Sequence, residues 1–411
     1  MGKQSWRELS SIQLGGAICL PVILIGHELV RTAGLGAALA AIIAGNALLF
    51  GLALIASMMS VDCQKTTAEN AEDYFGAMGK RFFAMIIVLS LSAWFAIQTQ
   101  VMSRDLASLM GIVGIELDTL LPLNIVLGLI MVGSSFFGLQ GVTLLANATL
   151  PLMVITLGVA VFSAGATSPH SLSSTTLATC TSSGLSLIIA AAISAVVDLP
   201  TFFRHAKSKK DALIASGGIF LIGIPLVELV GVLLGFWSNS SSLTEALLCV
   251  DVPLLRIWVG LFILFAGWTT NNTNVYSATM SLQSVFPQLS EKKGGIIVGI
   301  ICCLLSCFPL LEKLSLVLDV MGVCIASMGG VVLTAYSLRK FFSDSILHSG
   351  CQKAAWVIGA SAGLFNIFLG GLFSNVSIID AMMSASCSLI VLRASAVIKK
   401  RGEPVYEISD E

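Results

Sequence analysis

The sequence is poor in charge. Only 11% of its 411 residues are Asp, Glu, Lys or Arg, against about a quarter in soluble globular chains. That scarcity excludes an ordinary water-facing surface. Histidine and tyrosine are also rare, at four residues each, and the net charge is −1. No basic stripe with interleaved aromatics is present, so no nucleic-acid partner is expected. The ten cysteines show neither CxxC nor a Cys/His zinc spacing. Cys19, Cys302, Cys303, Cys307, Cys324 and Cys387 lie inside apolar runs, where cysteine acts as a small apolar residue. HExxH and P-loop patterns are missing, and the acidic residues are scattered among the connections. The chain does not read as an enzyme. Without an ATP-binding domain, any transport it performs draws on an ion gradient.

What is abundant is apolar sequence. Hydrophobic residues make up 56% of the chain and the mean hydropathy is +0.94. They fall in runs of roughly 18–25 residues, enough to cross ~30 Å of hydrocarbon. The spacing predicts an all-α integral membrane protein of about twelve spans. Spans 1 to 4 are Leu9–Gly26, Gly34–Met59, Phe82–Met102 and Leu120–Gly138. Spans 5 to 8 are Val142–Phe162, Leu185–Val197, Ala212–Trp237 and Leu254–Val285, the last with an interruption. Spans 9 to 12 are Gly294–Leu310, Leu314–Leu338, Ala354–Phe373 and Val376–Val397. No A-x-A-like cleavage site follows span 1, so it reads as retained.

The basic residues test this division. With the N-terminus inside and connections alternating, only Arg31, Arg104, Arg256 and Lys313 fall outside, and the other 18 of the 22 Lys and Arg fall inside. That is the positive-inside asymmetry. Both termini are therefore expected in the cytoplasm, with Ser163–Gly184 an external connector. Short tails and no targeting extension point to a multi-pass protein of a bacterial inner membrane, with the lipid bilayer as its surroundings and no obligatory protein partner.

Breaks and polar residues within spans are the functional signals, because membrane helices satisfy their own backbone hydrogen bonds. Span 1 contains Gly15, Gly16 and Pro21. Span 6 is short and ends in Val197-Asp198-Leu199-Pro200. Interrupted spans in corresponding positions of two halves point to a transporter site. Span 8 holds six consecutive hydrogen-bonding side chains, Thr269 to Asn274, after Trp268 and before Tyr276 and Ser277. They cannot all face lipid. Their oxygens suit Na⁺, and helix-to-helix bonding is the structural alternative. Span 3 offers Trp94 and Phe95, then Gln98 and Gln100. Trp94 and Gln98 share a helical face, which suits a flat heterocycle that stacks and hydrogen-bonds at its edge. Asn46 reads as inter-helix bonding, Asp198 as a partner of Arg204, and Glu228 as either a proton site or a hydrogen-bonded neutral acid.

Five stretches carry a resemblance. Trp268-Thr-Thr-Asn271 continued to Tyr276, Ala44-Gly45-Asn46, Trp94-Phe95, Asp198 to Lys207 (DLPTFFRHAK), and Met328-Gly329-Gly330-Val331 with Tyr336 are similar, in order, to segments of cytosine permeases in the nucleobase–cation symport family. The resemblance implies two inverted five-helix repeats, here 9–162 and 185–338, plus two further helices within 354–397, in one transporter domain. It implies a sodium ion held by the Thr269 and Thr270 side chains and the Ala266, Gly15 and Ile18 carbonyls. It also implies a substrate stacked on Trp94, with Asn271 and Asn272 nearby. The sequence departs from the family at Leu91, where a Gln is usual, at Cys19 in place of a span 1 aromatic, and at Ile188, Ile189 and Ala191 in place of Ser and Phe.

The cation side therefore looks kept and the nucleobase grip changed. The expected function is import of a nucleobase-like heterocycle (cytosine, another pyrimidine or a purine) by Na⁺ or H⁺ symport with alternating access. The substrate-binding candidates are Trp94, Phe95, Gln98, Asn271, Asn272 and Cys19. Two alternatives stay open. One is a sodium-coupled symporter of another solute such as an amino acid. The other is a permease-like protein that no longer transports.

Overall fold

The computed structural model describes residues 3–112, 114–135, 137–165, 177–237, 253–342, 349–371 and 373–402. Among these residues the chain is helical, apart from turns and one parallel β-bridge between Gln4 and Ala206. The helices are α1 (Trp6–Ala17), α2 (Leu20–Ala33), α3 (Leu35–Cys63), α4 (Thr67–Ile112) and α5 (Leu121–Ser135). Next come α6 (Gly138–Gly165), α7 (Leu177–Val197), the short α8 (Leu199–Phe203), α9 (Lys209–Gly217) and α10 (Ile224–Trp237). Then follow α11 (Pro253–Val285), α12 (Glu291–Ser306), α13 (Leu314–Phe342), α14 (Ser349–Leu369) and α15 (Ser377–Gly402).

Each apolar run of the sequence falls on these helices. Seven described helices are long and apolar enough to cross a membrane, or eight with the bent pair α1–α2. The exterior is apolar: Ile43, Leu144 and Phe162 are 71, 73 and 85% exposed. Asn46, Gln98, Asn271 and Glu228 are buried. Polar groups inside and large apolar side chains outside reverse the soluble pattern and match lipid as the solvent. The connector expected over Ser163–Gly184 is helical at both ends, as the end of α6 and the start of α7. Its middle, and the tail beyond Gly402, lie outside the described residues.

Four local features shape the interior. Span 1 is broken. The α1 helix stops at Ala17, Ile18 leaves helical geometry (φ −74°, ψ 81°), and Cys19 is extended. Pro21 sits in the first turn of α2, where a missing N–H costs nothing. The two halves meet at 60°. Span 3 starts earlier than its apolar run, through an elbow at Gly76 (φ 72°) that separates a short polar-faced segment from the long helix. Only glycine adopts that φ without strain. Span 7 contains a π-helical stretch, Gly218–Gly223, between α9 and α10. Pro225 follows it and cannot donate to the preceding turn, a known cause of such bulges.

The fourth feature corrects an expectation. Span 8 has no interruption: α11 runs unbroken for 33 residues. Its polar residues do not break it because the threonine hydroxyls fold back onto their own helix. Thr269 donates to the Phe265 carbonyl at 2.8 Å, and Thr270 to the Ala266 carbonyl at 2.9 Å.

Close packing uses glycine. Gly231 and Gly235 of α10 lie against the α2 backbone, and a Cβ on Gly231 would collide with the Ile23 carbonyl. This is the small-xxx-small contact of membrane helix pairs. At one end of the bundle, Asp62 of α3 gathers Lys209 (2.5 Å), Lys340 (3.0 Å) and the Tyr336 hydroxyl (2.5 Å). At the same end Gln4 pairs with the loop after α8, taking the Lys207 N–H at 2.8 Å.

Candidate functional site

The break in span 1 places a helix end beside the middle of α11. The Gly16 carbonyl, in the last turn of α1, accepts the Thr270 hydroxyl at 2.9 Å. Beside this junction is a cavity of about 90 Å³, several times the ~10–15 Å³ needed for one water. Its wall is drawn from α1, α2, α4, α7, α8, α10 and α11, with the π stretch contributing Ile219. Trp94 and Leu91 line it from α4, Cys19 and Val22 from the start of α2, and Ala191 and Asp198 from α7 and its end.

Six adjacent polar residues on one helix point in different directions, about 100° apart. Thr270, Thr273, Asn274 and Ser277 line the cavity. Their spacing of i, i+3, i+4 and i+7 marks one helical face. Asn271 is turned away. Its Nδ2 donates to the Phe95 carbonyl (3.2 Å), to Thr99 Oγ1 (3.1 Å) and to the Met131 sulfur (3.4 Å). It therefore ties α11 to α4 and α5, and Asn274 donates to its Oδ1 at 3.5 Å. Asn272 is buried off the cavity with Oδ1 unpartnered. Trp268 donates to Ser134 Oγ at 2.6 Å.

Of the other candidates, Phe95 is fully buried off the cavity. Gln98 shares the Trp94 face one turn further along, against Gly267, and both its amide atoms lack partners. Gln100 holds the end of α12: it donates to the Ser306 (3.1 Å) and Phe308 carbonyls and accepts the Leu311 N–H at 2.8 Å. Gly15 faces α6, where an added Cβ would lie 2.7 Å from Ala146 Cβ. Ile18 is the buried C-cap of α1. Of the residues that depart from the family pattern, Leu91, Cys19 and Ala191 line the cavity, while Ile188 and Ile189 pack into the core.

Four oxygens converge at the junction. Thr270 Oγ1 lies 2.9 Å from both the Gly16 and Ala266 carbonyls, and Thr269 Oγ1 is 3.3 Å from the latter. This neutral, all-oxygen set fits a hard monovalent cation. No group of three or more His, Cys, Asp or Glu that could hold a metal occurs among the described residues.

Two buried acids complete the wall. Asp198, at the α7–α8 turn, accepts the Thr201 hydroxyl at 2.7 Å and the Ser277 hydroxyl. It does not pair with Arg204. Asp198 and Arg204 cap opposite ends of α8, and Arg204 turns instead to Glu69 (3.8 Å) at the start of α4. Glu228 of α10 accepts from Asn46 Nδ2 at 2.6 Å. Gln13 and Ser194 also reach the cavity and were not legible as site residues; Asn274, within the polar run of span 8, reaches it too.

A helical bundle, lipid-facing outside, with a mostly apolar cavity at a broken helix defines a multi-pass membrane transporter for a small molecule. Residues 2–345 match the family of permeases for cytosine/purines, uracil, thiamine and allantoin, and the chain belongs to that family. The cytosine permease of Escherichia coli K12 is 21% identical over 359 residues, 86% of this chain and 82% of that one. The hydantoin permease of Microbacterium maritypicum is 27% identical over 150 residues, 34% of this chain and 30% of that protein. Among solved structures, Mhp1, a nucleobase-cation-symport-1 family transporter in a closed conformation with bromovinylhydantoin bound, superposes with a TM-score of 0.74 at 15% identity, covering 96% of this chain and 94% of that one. A Na⁺-coupled sialic acid symporter in a substrate-bound outward-open state gives 0.69 at 14% identity, covering 96% and 90%. The chain thus has an Mhp1-like transporter fold and is a transporter, not an enzyme. One stretch, Gly359-Ala-Ser-Ala-Gly363, does carry the GxSxG spacing of hydrolases. That motif needs a strand-to-helix turn, whereas here it lies within α14, its glycines packed on Ala385 and Ala381 of α15.

Proposed function

We propose that the protein imports a small, flat, nucleobase-like heterocycle by cation symport, through alternating access between two inverted repeats. The repeats are 9–162 and 185–338, with two further helices in 354–397, making twelve spans. The termini face the cytoplasm of a bacterial inner membrane, the orientation favoured by the basic residues. The observation that carries this reading is the cavity at the span 1 break, with Trp94 on its wall and the Thr270–Gly16 junction beside it. The fold it shares with Mhp1 and its membership of the permease family support the same reading.

The solute stacks on Trp94 and meets Cys19, Thr273 and Asn274. Phe95, Gln98, Asn271 and Asn272 form the layer behind, where Asn271 holds α11 to α4. Leu91 and Ala191 make this wall more apolar than a cytosine site, so selectivity shifts toward a less polar ring edge. No Lys, Arg or His lines the cavity among the described residues, while two carboxyls do. That favours a neutral or N–H-rich solute over an anion and counts against an amino acid. Sodium would be held by Thr269, Thr270 and Ala266 of α11 with carbonyls of span 1, Gly15 and Ile18 being the positions implied by the family and Gly16 the one bonded to Thr270. Bound there, it would tie α1 to α11.

A thermal-shift screen of the detergent-purified protein tests this, using cytosine, purines, hydantoins and amino acids, each in sodium and in potassium. A binder raises the melting temperature by mass action. A heterocycle that stabilises only in sodium is the expected result. Stabilisation by amino acids alone, or by nothing, rejects the assignment.

A further inference from the structure

The cavity carries a carboxyl that neither stacking nor the oxygen junction uses. Glu228 is fully buried and lines the cavity. Asn46 Nδ2 donates to its Oε2 at 2.6 Å and to the Ile42 carbonyl at 3.0 Å. Glu228 Oε1 is buried without a hydrogen-bond partner, as is Asn46 Oδ1. Among the described residues no cation pairs with Glu228.

Apart from His27, the charged and titratable groups on the elements packed against α10 are engaged elsewhere or stand at the helix ends. On α2, His27 is buried with neither ring nitrogen hydrogen-bonded, 3.6 Å from Glu28, and Arg31 is in the last turn. On α3, Asp62 is taken by Lys209 and Lys340, with Cys63 beside it. On α1, Glu8 caps Ser5, and Arg7 stacks over Trp6. The α6 segment contains no titratable residue. Across the cavity, Asp198 is held by the Thr201 and Ser277 hydroxyls, and Cys19 lies on the α2 side.

A carboxylate held by one neutral amide, with its second oxygen bare, is heavily disfavoured in such a place. A neutral acid fits better: Oε2 is the carbonyl that accepts from Asn46, and Oε1 carries the proton. The surroundings also permit movement. The π stretch Gly218–Gly223 ends just before α10, and such bulges concentrate at functional sites. The α10 helix itself packs on glycine against α2.

We propose that the Asn46–Glu228 pair is a proton-binding site on the cavity wall, and that the proton Glu228 exchanges with cavity water is coupled to the transport cycle. The coupling rests on the transport reading above; the proton site itself does not.

Infrared difference spectroscopy of the purified full chain in nanodiscs tests the site without any solute. The expected result is a carboxylic-acid C=O band that shifts in D₂O and is lost in Glu228→Gln. Asn46→Ala should move the same band, because it removes the hydrogen bond to Oε2; this variant decides the matter if Glu228→Gln does not fold. A wild-type spectrum that neither substitution alters overturns the proposal. Coupling is read in proteoliposomes with radiolabelled cytosine. An inward proton gradient should speed wild-type uptake, and Glu228→Gln should abolish that stimulation. Stimulation that survives the substitution overturns the coupling. If wild type and variant both fail to take up cytosine, the transport reading fails for that solute, and the infrared band still decides the proton site.

Discussion

Removing the Thr270 hydroxyl is the sharpest perturbation of the site. The hydroxyl spans two elements, bonding the Gly16 carbonyl of α1 and the Ala266 carbonyl of its own helix, each at 2.9 Å. Ala266 keeps a second contact from Thr269 at 3.3 Å. Gly16 lies where α1 ends, so Thr270→Val orphans its carbonyl while conserving shape. Gly16 is half-buried on the cavity wall, so losing this bond costs about 0.5–1.5 kcal/mol. The same change deletes one oxygen from the proposed cation set. With sodium at 100 times its dissociation constant, the bound ion stabilises the wild type by about 2.7 kcal/mol. A tenfold loss of affinity cuts that to about 1.4 kcal/mol. The assay is thermal unfolding in detergent over a sodium series, with potassium as the control. Thr270→Val should melt lower in potassium and gain about half as much, or less, from sodium. Thr270→Ser should behave as wild type. If Thr270→Val gains as much from sodium as the wild type, the ion does not sit at this junction.

Three further outcomes follow from the geometry. Trp94→Ala should weaken binding of any stabilising heterocycle by about tenfold or more, combining lost stacking of about 0.5–1.5 kcal/mol with lost apolar contact; unchanged affinity in the thermal-shift titration removes Trp94 from the site. Gly231→Ala should lower stability by about 1–3 kcal/mol, because the new methyl meets the Ile23 carbonyl in a contact with no room to give; an unchanged melting temperature would contradict the α2–α10 packing. His205 is held below its usual range by burial and by the charge of Arg204, and its neutral Nε2 accepts the Arg204 Nε–H at 3.1 Å. The folded state thus binds fewer protons than the unfolded one, so stability should fall as pH drops through about 6.5 and below. His205→Gln should flatten that slope, and an equal slope in the variant refutes the assignment.

Much of the fold was legible because lipid imposes a one-dimensional rule. A helix must be apolar for about twenty residues, so the segments can be read from hydropathy, and Gly15, Gly16 and Pro21 mark a break that the structure realises at Ile18–Cys19. The interruption expected in span 8 failed for a local reason: threonine hydroxyls can bond the carbonyl four residues back and leave the helix intact. The π stretch in span 7 escaped notice because Gly217, Gly218 and Pro225 are common in membrane helices and do not specify where the chain widens.

The sequence by itself determined that Thr269 to Asn274 must be buried, since six adjacent hydrogen-bonding side chains have no place in hydrocarbon. It also determined that Glu228 needs a special environment. Only the tertiary structure decided which of them meet the cavity. Each residue turns about 100° from the last, so the rotation of α11 about its own axis sends Thr270 toward Gly16 and Asn271 toward Phe95 and Thr99. That rotation is set by packing against helices distant in sequence. The same packing brings Asn46 to Glu228 across 182 residues, and separates Asp198 from Arg204 by the length of one short helix. Local composition dictates what a membrane helix must hide. Where it hides it depends on the helices around it.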